Sequence, residues 1–411
     1  MVEASLQSPT AAVPFERMGA LQFKVVVLCF LAILFDGIDT TAIGVVVPTL
    51  ARGWSVSPAT FTVTFLATNL GAVVGYLACG PLAERIGRRR LIIVSVIWFG
   101  ICTLLTALAG SVTVLWILRF VTALGLGGAV PTGIAHAADY APIRYRDAMT
   151  VAVTTGLAAG AMLSGLLGAS LISNFGWQSV FLVGGVLPLL LAPALWLWLP
   201  EAPAASALAK LSASRKPWHG FARLLAHDLA TRTLLVWGYS FLIFTTNYAL
   251  VSWVPTLLLS FGFAPGAAPI GVAALGVGGV VGNVILMFLA PKFGARRVLV
   301  VVGLVAIAAI AIVALAHLPH ELLLLTIGAI GAGMVASSVG QAALAVAMYP
   351  SELRTTGVGC SSAFGRVGSI VGPALGGLML TLDLPAREIV LWACLPVLAA
   401  IAILVVLRRY L

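Results

Sequence analysis

The sequence has very few charged residues. Asp, Glu, Lys and Arg make up only 9% of its 411 residues, whereas 61% are hydrophobic and the mean hydropathy is +1.12. So little charge excludes a water-soluble globular protein and indicates a chain that crosses a membrane many times. Because a spanning helix takes about 20 residues, twelve such helices fit, and they leave no connection long enough for a folded domain.

Cysteine is scarce as well. The chain has five cysteines, all in or beside apolar runs and without Cys-x-x-Cys spacing. We therefore interpret them as packing residues and expect no disulfide framework and no metal site. The sequence also lacks a phosphate-binding loop and a nucleophile-base spacing. We expect no cofactor, and these absences argue against a membrane enzyme; a transporter-like sensor is disfavoured because it would usually carry a long soluble extension.

The apolar runs predict an all-α membrane protein with twelve transmembrane helices in two six-helix bundles. We place the helices at 23–48, 58–82, 91–109, 112–138, 148–172, 179–199, 233–261, 267–290, 297–316, 320–348, 356–381 and 386–407. An Ala-, Ser- and Pro-rich linker at 200–232 separates an N-terminal bundle at 23–199 from a C-terminal bundle at 233–407. The remaining segments are tails at 1–22 and 408–411.

The basic residues predict the orientation in the membrane. The net charge is +10, yet among the predicted loops and helix ends only Arg52 and Arg387 lie on the side opposite the other Lys and Arg residues. This asymmetry indicates a multi-pass protein of the inner membrane with both termini in the cytoplasm. The polar segment 1–17 does not resemble a signal peptide. We expect a monomer whose basic linker lies along the lipid bilayer, and no nucleic-acid partner.

Three short sequences recur in the same order in the two halves. They are Val-Pro-Thr-Leu at 47–50 and 254–257, Gly-Arg-Arg at 87–89 with Gly-Ala-Arg-Arg at 294–297, and Tyr-Ala-Pro at 140–142 with Tyr-Pro at 349–350. Internal repeats of this kind are typical of secondary carriers, whose binding sites lie near the membrane midplane between the repeats. The two predicted bundles are therefore expected to be pseudo-symmetric.

Two carboxylates lie in the middle of the first predicted helix. Asp36 and Asp39 are three residues apart and so share a helix face. A charge at mid-membrane costs about 3 kcal/mol on insertion scales and normally faces a cavity or a protein partner. Two nearby carboxylates also resist ionising together. The pair predicts a proton-coupling site; the alternative is a structural ion pair with a buried arginine.

The loop after the second predicted helix contains the most extended motif. It runs from Gly80 to Arg90 as Gly-Pro-Leu-Ala-Glu-Arg-Ile-Gly-Arg-Arg-Arg. This resembles the signature loop of the major facilitator superfamily, in which glycines allow a tight turn and an acid forms a latch between moving bundles. The resemblance implies gating roles for Gly80, Glu84, Arg85, Gly87 and Arg88. Glu84 stands where that family usually has Asp.

The fourth predicted helix also resembles the superfamily. It places Arg119 before the glycines of 125–128, and it ends at Asp139, which is followed by Arg144. Arg119 and Asp39 lie at similar estimated depths, about 10 and 14 Å from the periplasmic ends of their helices, so they could meet across a cavity. Asp139 is expected to complete the latch with Arg144 or Arg146; a solvated loop cluster is the alternative.

The first-helix sequence Asp36-Gly37-Ile38-Asp39 resembles the aromatic acid:proton symporter family of this superfamily most specifically. The resemblance implies alternating access and uptake of a benzoate-, hydroxybenzoate- or phenylpropanoate-like carboxylate with protons. It implies proton-coupling and binding roles for Asp36, Asp39 and Arg119, and for Arg366 either a place in the substrate-binding site or a structural role. From their positions in the repeat or on the helices we add Asn247, Tyr248 and Gln341 as candidate substrate-binding residues.

An antiporter that exports a drug or metabolite is the alternative function. Such carriers often have a Gly-Pro-x-x-Gly-Gly sequence in the fifth helix. Here that sequence is found at 372–377, in the eleventh predicted helix, and the fifth has glycines without the proline. The pattern favours import.

Overall fold

The computed structural model describes residues 19–142, 145–201, 223–226, 229–349 and 354–410, which form helices joined by short turns. The helices are α1 Ala20–Gly53, α2 Thr62–Ile86, α3 Arg88–Thr106, α4 Val112–Tyr140, α5 Arg146–Phe175, α6 Gln178–Trp198, α7 Ala230–Ser260, α8 Ile270–Phe293, α9 Ala295–Leu315, α10 His320–Met348, α11 Arg354–Thr381, α12 Ala386–Trp392 and α13 Cys394–Val406. Helices α12 and α13 together form the last of twelve spans that are long and apolar enough to cross a membrane. The predicted all-α membrane fold is confirmed.

The predicted twelfth helix is broken at Ala393, between α12 and α13. Pro396 explains the break, because proline lacks the N–H that would bond to the carbonyl four residues earlier, and its ring clashes with that carbonyl. The expected linker at 200–232 lies largely outside the described residues, as do Arg144, most of the N-terminal tail and Leu411.

One of the recurring sequences forms the same turn in each half. Gly87 joins α2 to α3 with φ 88°, and Gly294 joins α8 to α9 with φ 82°. Residues with a side chain rarely adopt a positive φ of this size, so glycine is needed at both turns. The turns lie at one end of the molecule, here named the basic end. Its Lys and Arg residues include Arg85, Arg88, Arg89, Arg90, Lys292, Arg296, Arg297, Arg408 and Arg409.

Helices α1–α6 pack into one bundle and α7–α13 into a second, and the two bundles meet most closely away from the basic end. At this opposite end, the ring of Phe65 on α2 lies 4.9 Å from that of Trp253 on α7. Helices α5 and α8 cross so tightly that a Cβ built on Gly165 would lie 2.2 Å from the main-chain nitrogen of Ala273. The opposite end is therefore sealed in this conformation.

The apolar cores show the same asymmetry. One core includes the second bundle together with the opposite-end half of α1, from Ala42 to Ala51. A separate core contains the basic-end part of the first bundle, including Val25 to Ile33 of α1 and Leu191 to Leu199 at the end of α6. The bundles thus share a core at the opposite end and have separate cores toward the basic end.

Candidate functional site

A cavity lies between the two bundles at the middle of the spans. The residues that line it come from α1, α2, α4, α5, α7 and α11, and they are Asp36, Thr40, Thr41, Ile43, Gly44, Phe65, Thr68, Asn69, Ala72, Tyr76, Leu126, Leu157, Tyr248, Val251, Ser252 and Arg366. The lining thus combines apolar groups with hydroxyl and amide groups, one carboxyl and one guanidinium. Such a mixture suits a small, partly apolar ligand that carries a charge.

Asp36 reaches this cavity but is 5% exposed. The Thr40 hydroxyl, one turn along α1, donates a 3.0 Å hydrogen bond to its Oδ1. Within the described chain no cation lies at salt-bridge distance from Asp36. Because burying an unpaired carboxylate is costly, this environment favours a carboxyl group that holds a proton.

Asp39 has very different surroundings. Arg119 of α4 grips its carboxylate with two hydrogen bonds, of 2.9 Å to Oδ1 and 2.8 Å to Oδ2, and a third of 3.1 Å reaches the main-chain carbonyl of Asp39. The Thr103 hydroxyl on α3 donates to Oδ1 at 2.6 Å. All three residues are completely buried. The side chain of Asp39 therefore has its ion-pair and hydrogen-bond partners inside the first bundle.

The two carboxylates thus point at different neighbours, although they are three residues apart. Residues at this spacing differ by about 60° around a helix, which is enough to direct Asp36 to the cavity and Asp39 to α3 and α4. Arg119 meets Asp39 as its estimated depth suggested. It does not line the cavity, however, so its geometry does not favour the expected contact with a substrate carboxylate.

Arg366 does reach the cavity from α11. Its guanidinium donates hydrogen bonds to two hydroxyls, that of Tyr248 on α7 at 3.0 Å and that of Tyr76 on α2. The guanidinium carbon also lies 4.1 Å from the centre of the Tyr76 ring, a cation–π contact. No carboxylate of the described chain lies within salt-bridge distance of it. Arg366 is therefore a positive charge whose acceptors here are neutral hydroxyls.

Two further residues expected at the site lie elsewhere. Asn247 is not among the residues that line the cavity. Gln341 on α10 belongs to a hydrogen-bonded cluster nearer the basic end, where its amide oxygen accepts from Ser240 and from Ser361, and its nitrogen donates to Ser362. That cluster joins α7, α10 and α11 within the second bundle.

The expected gating residues lie at the basic end, outside the cavity. Arg88, at the start of α3, forms an ion pair with Asp139 on the last turn of α4. The predicted pairing of Asp139 with Arg144 or Arg146 involves side chains that lie outside the described part of the structure, so it stays a prediction. Arg89 pairs with Glu201 at 3.0 Å. Gly80, Glu84 and Arg85 belong to the last two turns of α2.

Sequence reasoning missed Tyr76, Asn69 and Thr103. Thr68, Asn69 and Tyr76 lie within eight residues of one another on an apolar span, and all three line the cavity. Their approximate helical spacing is a signal that could have found them. Thr103 left no such signal, because an isolated threonine in a spanning helix usually bonds to its own main chain.

Comparisons with known proteins agree with this architecture. The family model described as Major Facilitator Superfamily matches residues 29–342 and 273–410. A "Gallate transporter" of Pseudomonas putida is 34% identical over 89% of this chain and 87% of its own. A "4-hydroxybenzoate transporter PcaK" of Pseudomonas aeruginosa is 31% identical over 96% and 94%. The crystal structure of a D-xylose-proton symporter, 18% identical, aligns with a TM-score of 0.75 over 93% of this chain and 97% of its own.

Proposed function

Because the chain belongs to the major facilitator superfamily, and is thus a membrane transporter rather than an enzyme, we propose that it imports an aromatic carboxylate together with protons. The observation that carries this proposal is Arg366, a cation at the cavity with neutral hydroxyl partners. Substrate and proton cross by alternating access, with the bundles opening first to one side of the membrane and then to the other.

The carboxylate of the substrate binds Arg366. A carboxylate accepts two parallel hydrogen bonds from a guanidinium, and such charge-assisted bonds are about twice as strong as those between neutral groups. Arg119 already makes this arrangement with Asp39. The substrate would have to break a completely buried ion pair to reach Arg119, whereas at Arg366 it replaces hydroxyls.

Asp36 carries the proton. When Asp36 is protonated, Arg366 is the uncompensated charge at the cavity and attracts an anion. When Asp36 ionises, the cavity gains a negative charge that competes with the substrate. Proton and carboxylate therefore favour each other's binding, and the effect is reciprocal. Release of the proton on the cytoplasmic side promotes release of the substrate.

The ring of the substrate lies toward the opposite end, where Phe65 and Ile43 line the cavity. Asn69 suits a phenolic hydroxyl there, because its amide nitrogen already donates to the Phe65 carbonyl at 2.9 Å and its oxygen is left to accept. The names of two relatives specify gallate and 4-hydroxybenzoate, both hydroxylated benzoates. A hydroxybenzoate is accordingly the proposed substrate class.

We place the basic end in the cytoplasm, with both termini and the linker at 200–232, by the positive-inside rule. The sealed opposite end then faces the periplasm of an inner membrane, and the structure corresponds to the state that releases substrate inward. The proposed transporter acts as a monomer, since both of the bundles that enclose the cavity belong to the same chain.

Uptake of labelled 4-hydroxybenzoate into proteoliposomes tests the proposal. An inward proton gradient should drive accumulation by the wild type, and dissipating the gradient should abolish it. Arg366→Lys should reduce uptake by about tenfold or more, since an ammonium keeps the charge but lacks the planar two-point contact.

Arg387→Lys is the matched control. Arg387 lies at the opposite end, where it donates to the main-chain carbonyls of Ala314 and Ala316, and this variant should transport normally. Accumulation driven by an outward gradient would indicate an exporting antiporter instead. Normal uptake by Arg366→Lys would exclude Arg366 as the carboxylate site.

A further inference from the structure

Arg366 has hydrogen-bond acceptors within the protein itself, so its guanidinium can stay paired when the carrier is empty. A guanidinium buried between helices needs hydrogen-bond acceptors, because leaving a buried charged donor without a partner costs more than an ordinary hydrogen bond contributes. A symporter must carry this charge through half of its cycle without substrate. In the present structure the Tyr76 and Tyr248 hydroxyls supply the acceptors.

Contacts within the protein hold the rings of both tyrosines in place without any ligand. The Tyr248 ring stacks on Phe244, with centroids 6.1 Å apart and planes inclined by 15°. The Tyr76 ring lies against the guanidinium itself. Tyr76 belongs to the first bundle, whereas Tyr248 and Arg366 belong to the second, so the guanidinium is held from both sides of the cavity.

A substrate carboxylate can displace these hydroxyls. A phenol oxygen is a neutral acceptor, and a carboxylate forms the stronger, charge-assisted bond with the same N–H groups. The exchange leaves the guanidinium paired in both states. Without the hydroxyls the loaded carrier would be unaffected. In the empty carrier an ionised Asp36 adds a negative charge to the cavity but lies beyond salt-bridge distance, so the N–H groups of Arg366 would lack hydrogen-bond acceptors.

We propose that Tyr76 and Tyr248 are positioning residues that take the place of the substrate carboxylate on Arg366 and so permit the empty carrier to return. The inference rests on the proposed function and goes beyond it by assigning these hydroxyls to one half of the cycle. Net uptake requires return of the empty carrier. Exchange of external for internal substrate does not, because the carrier is loaded in both directions.

The test compares these two modes in proteoliposomes with 4-hydroxybenzoate, for Tyr76→Phe, Tyr248→Phe and the double variant. Phenylalanine keeps the ring, its stacking and its cation–π contact, and removes only the hydroxyl. Net uptake should fall by about tenfold in the double variant, while exchange stays within about twofold of wild type. Binding measured by calorimetry should be unchanged or tighter, since the competing acceptors are gone.

Tyr239→Phe is the matched control. Tyr239 is also a buried tyrosine of α7, but its hydroxyl donates to the Ser337 carbonyl at 3.4 Å, away from the cavity. Both modes should be normal in this variant. A parallel fall of net uptake and exchange in the Tyr76 and Tyr248 variants, or weaker binding, would overturn the inference and make the hydroxyls substrate contacts. A wild type that binds and exchanges no aromatic carboxylate would overturn the proposed function as well.

Discussion

Asp36 and Asp39 show how strongly the neighbours of a residue determine its chemistry. Both are buried carboxyl groups on one turn of α1. Asp39 receives two hydrogen bonds from Arg119 and one from Thr103, so its charge is compensated. Asp36 has a hydroxyl as its partner and faces the cavity. We therefore propose a structural role for Asp39 and a role in proton coupling for Asp36.

Neutralising each carboxylate should separate these roles. Asp39→Asn leaves the Arg119 guanidinium buried without a compensating charge, and breaking such a pair costs about 3–5 kcal/mol. We expect a lower melting temperature together with lost uptake. Asp36→Asn removes no charge partner, so it should melt close to wild type while losing gradient-driven accumulation. Thermal unfolding of the purified variants, followed by fluorescence, makes the comparison.

The pH dependence of substrate binding tests whether Asp36 is the group that carries the proton. Protonation of Asp36 favours the anion, so wild-type affinity for a ligand that stays ionised should rise as the pH falls, by up to about tenfold per unit for one linked proton. Asp36→Asn mimics the neutral form, and its affinity should be independent of pH. If Asp36→Asn titrated like wild type, another group would carry the proton; equal melting of the two variants would contradict a structural role for Asp39.

A charged residue inside an apolar span stands out in the sequence as a candidate for the site. Asp36, Asp39, Arg119 and Arg366 were named as candidates for this reason. The division of roles among them could not be predicted, because a spacing of three residues does not tell which carboxylate meets the arginine. Tyr76 and Asn69 were missed for a related reason. Neutral polar groups are tolerated in spanning helices, and only the packing of two bundles shows which of them reach the cavity.

At the scale of helices, the Gly87 turn and the Arg88–Asp139 pair join the start of α3 to the end of α4. Both side chains are 31% exposed, so the pair contributes little to stability, about 0–1 kcal/mol. Its value as a latch lies in the conformation that it selects. We propose that it gates the basic end, together with the neighbouring motif residues Gly80, Glu84 and Arg85.

Asp139→Asn should therefore change the rate of alternation more than the affinity for substrate. The expected results are a melting temperature close to wild type, unchanged binding in calorimetry and altered labelling of single cysteines placed at the two ends. Arg90→Gln is the control, because Arg90 is an exposed cation on the same first turn of α3 as Arg88. Unaltered labelling with normal transport would mean that the Arg88–Asp139 pair has no gating role and that Arg88 serves only to orient the chain in the membrane.

Helix positions were predictable because an apolar run of about 20 residues has few alternatives in a membrane. The ends moved by a few residues, as for the first helix, predicted at 23–48 and observed at Ala20–Gly53. The break at Ala393 was not foreseen, although Pro396 marks it. Prolines are common inside other spans, such as Pro188 and Pro193 of α6, where the helix continues.

At the scale of the whole molecule, the two bundles share one apolar core at the opposite end and have separate cores toward the basic end. Packed cores rearrange between discrete states because they are not continuously deformable. Alternating access in this protein therefore requires the opposite-end contacts to separate as complete surfaces. Closely packed positions at that interface should then control the balance between the two states.

Gly165 is a closely packed position of this kind, at the crossing of α5 and α8. A Cβ there would lie 2.2 Å from the main-chain nitrogen of Ala273 and 2.6 Å from the carbonyl of Pro269. Because these are main-chain atoms, a side-chain rearrangement cannot relieve the overlap, and the bundles must move apart. Gly165→Val should therefore favour the conformation that is open at the opposite end.

The expected outcome is increased labelling of a single cysteine placed at the opposite end of α7, retained binding of 4-hydroxybenzoate and strongly reduced uptake. Gly53→Val is the matched control, because Gly53 lies at the same end and a Cβ there meets nothing within 4 Å. If Gly165→Val lost binding and labelling together, it would have damaged the fold. Normal uptake with unchanged labelling would mean that the α5–α8 contact does not seal the carrier.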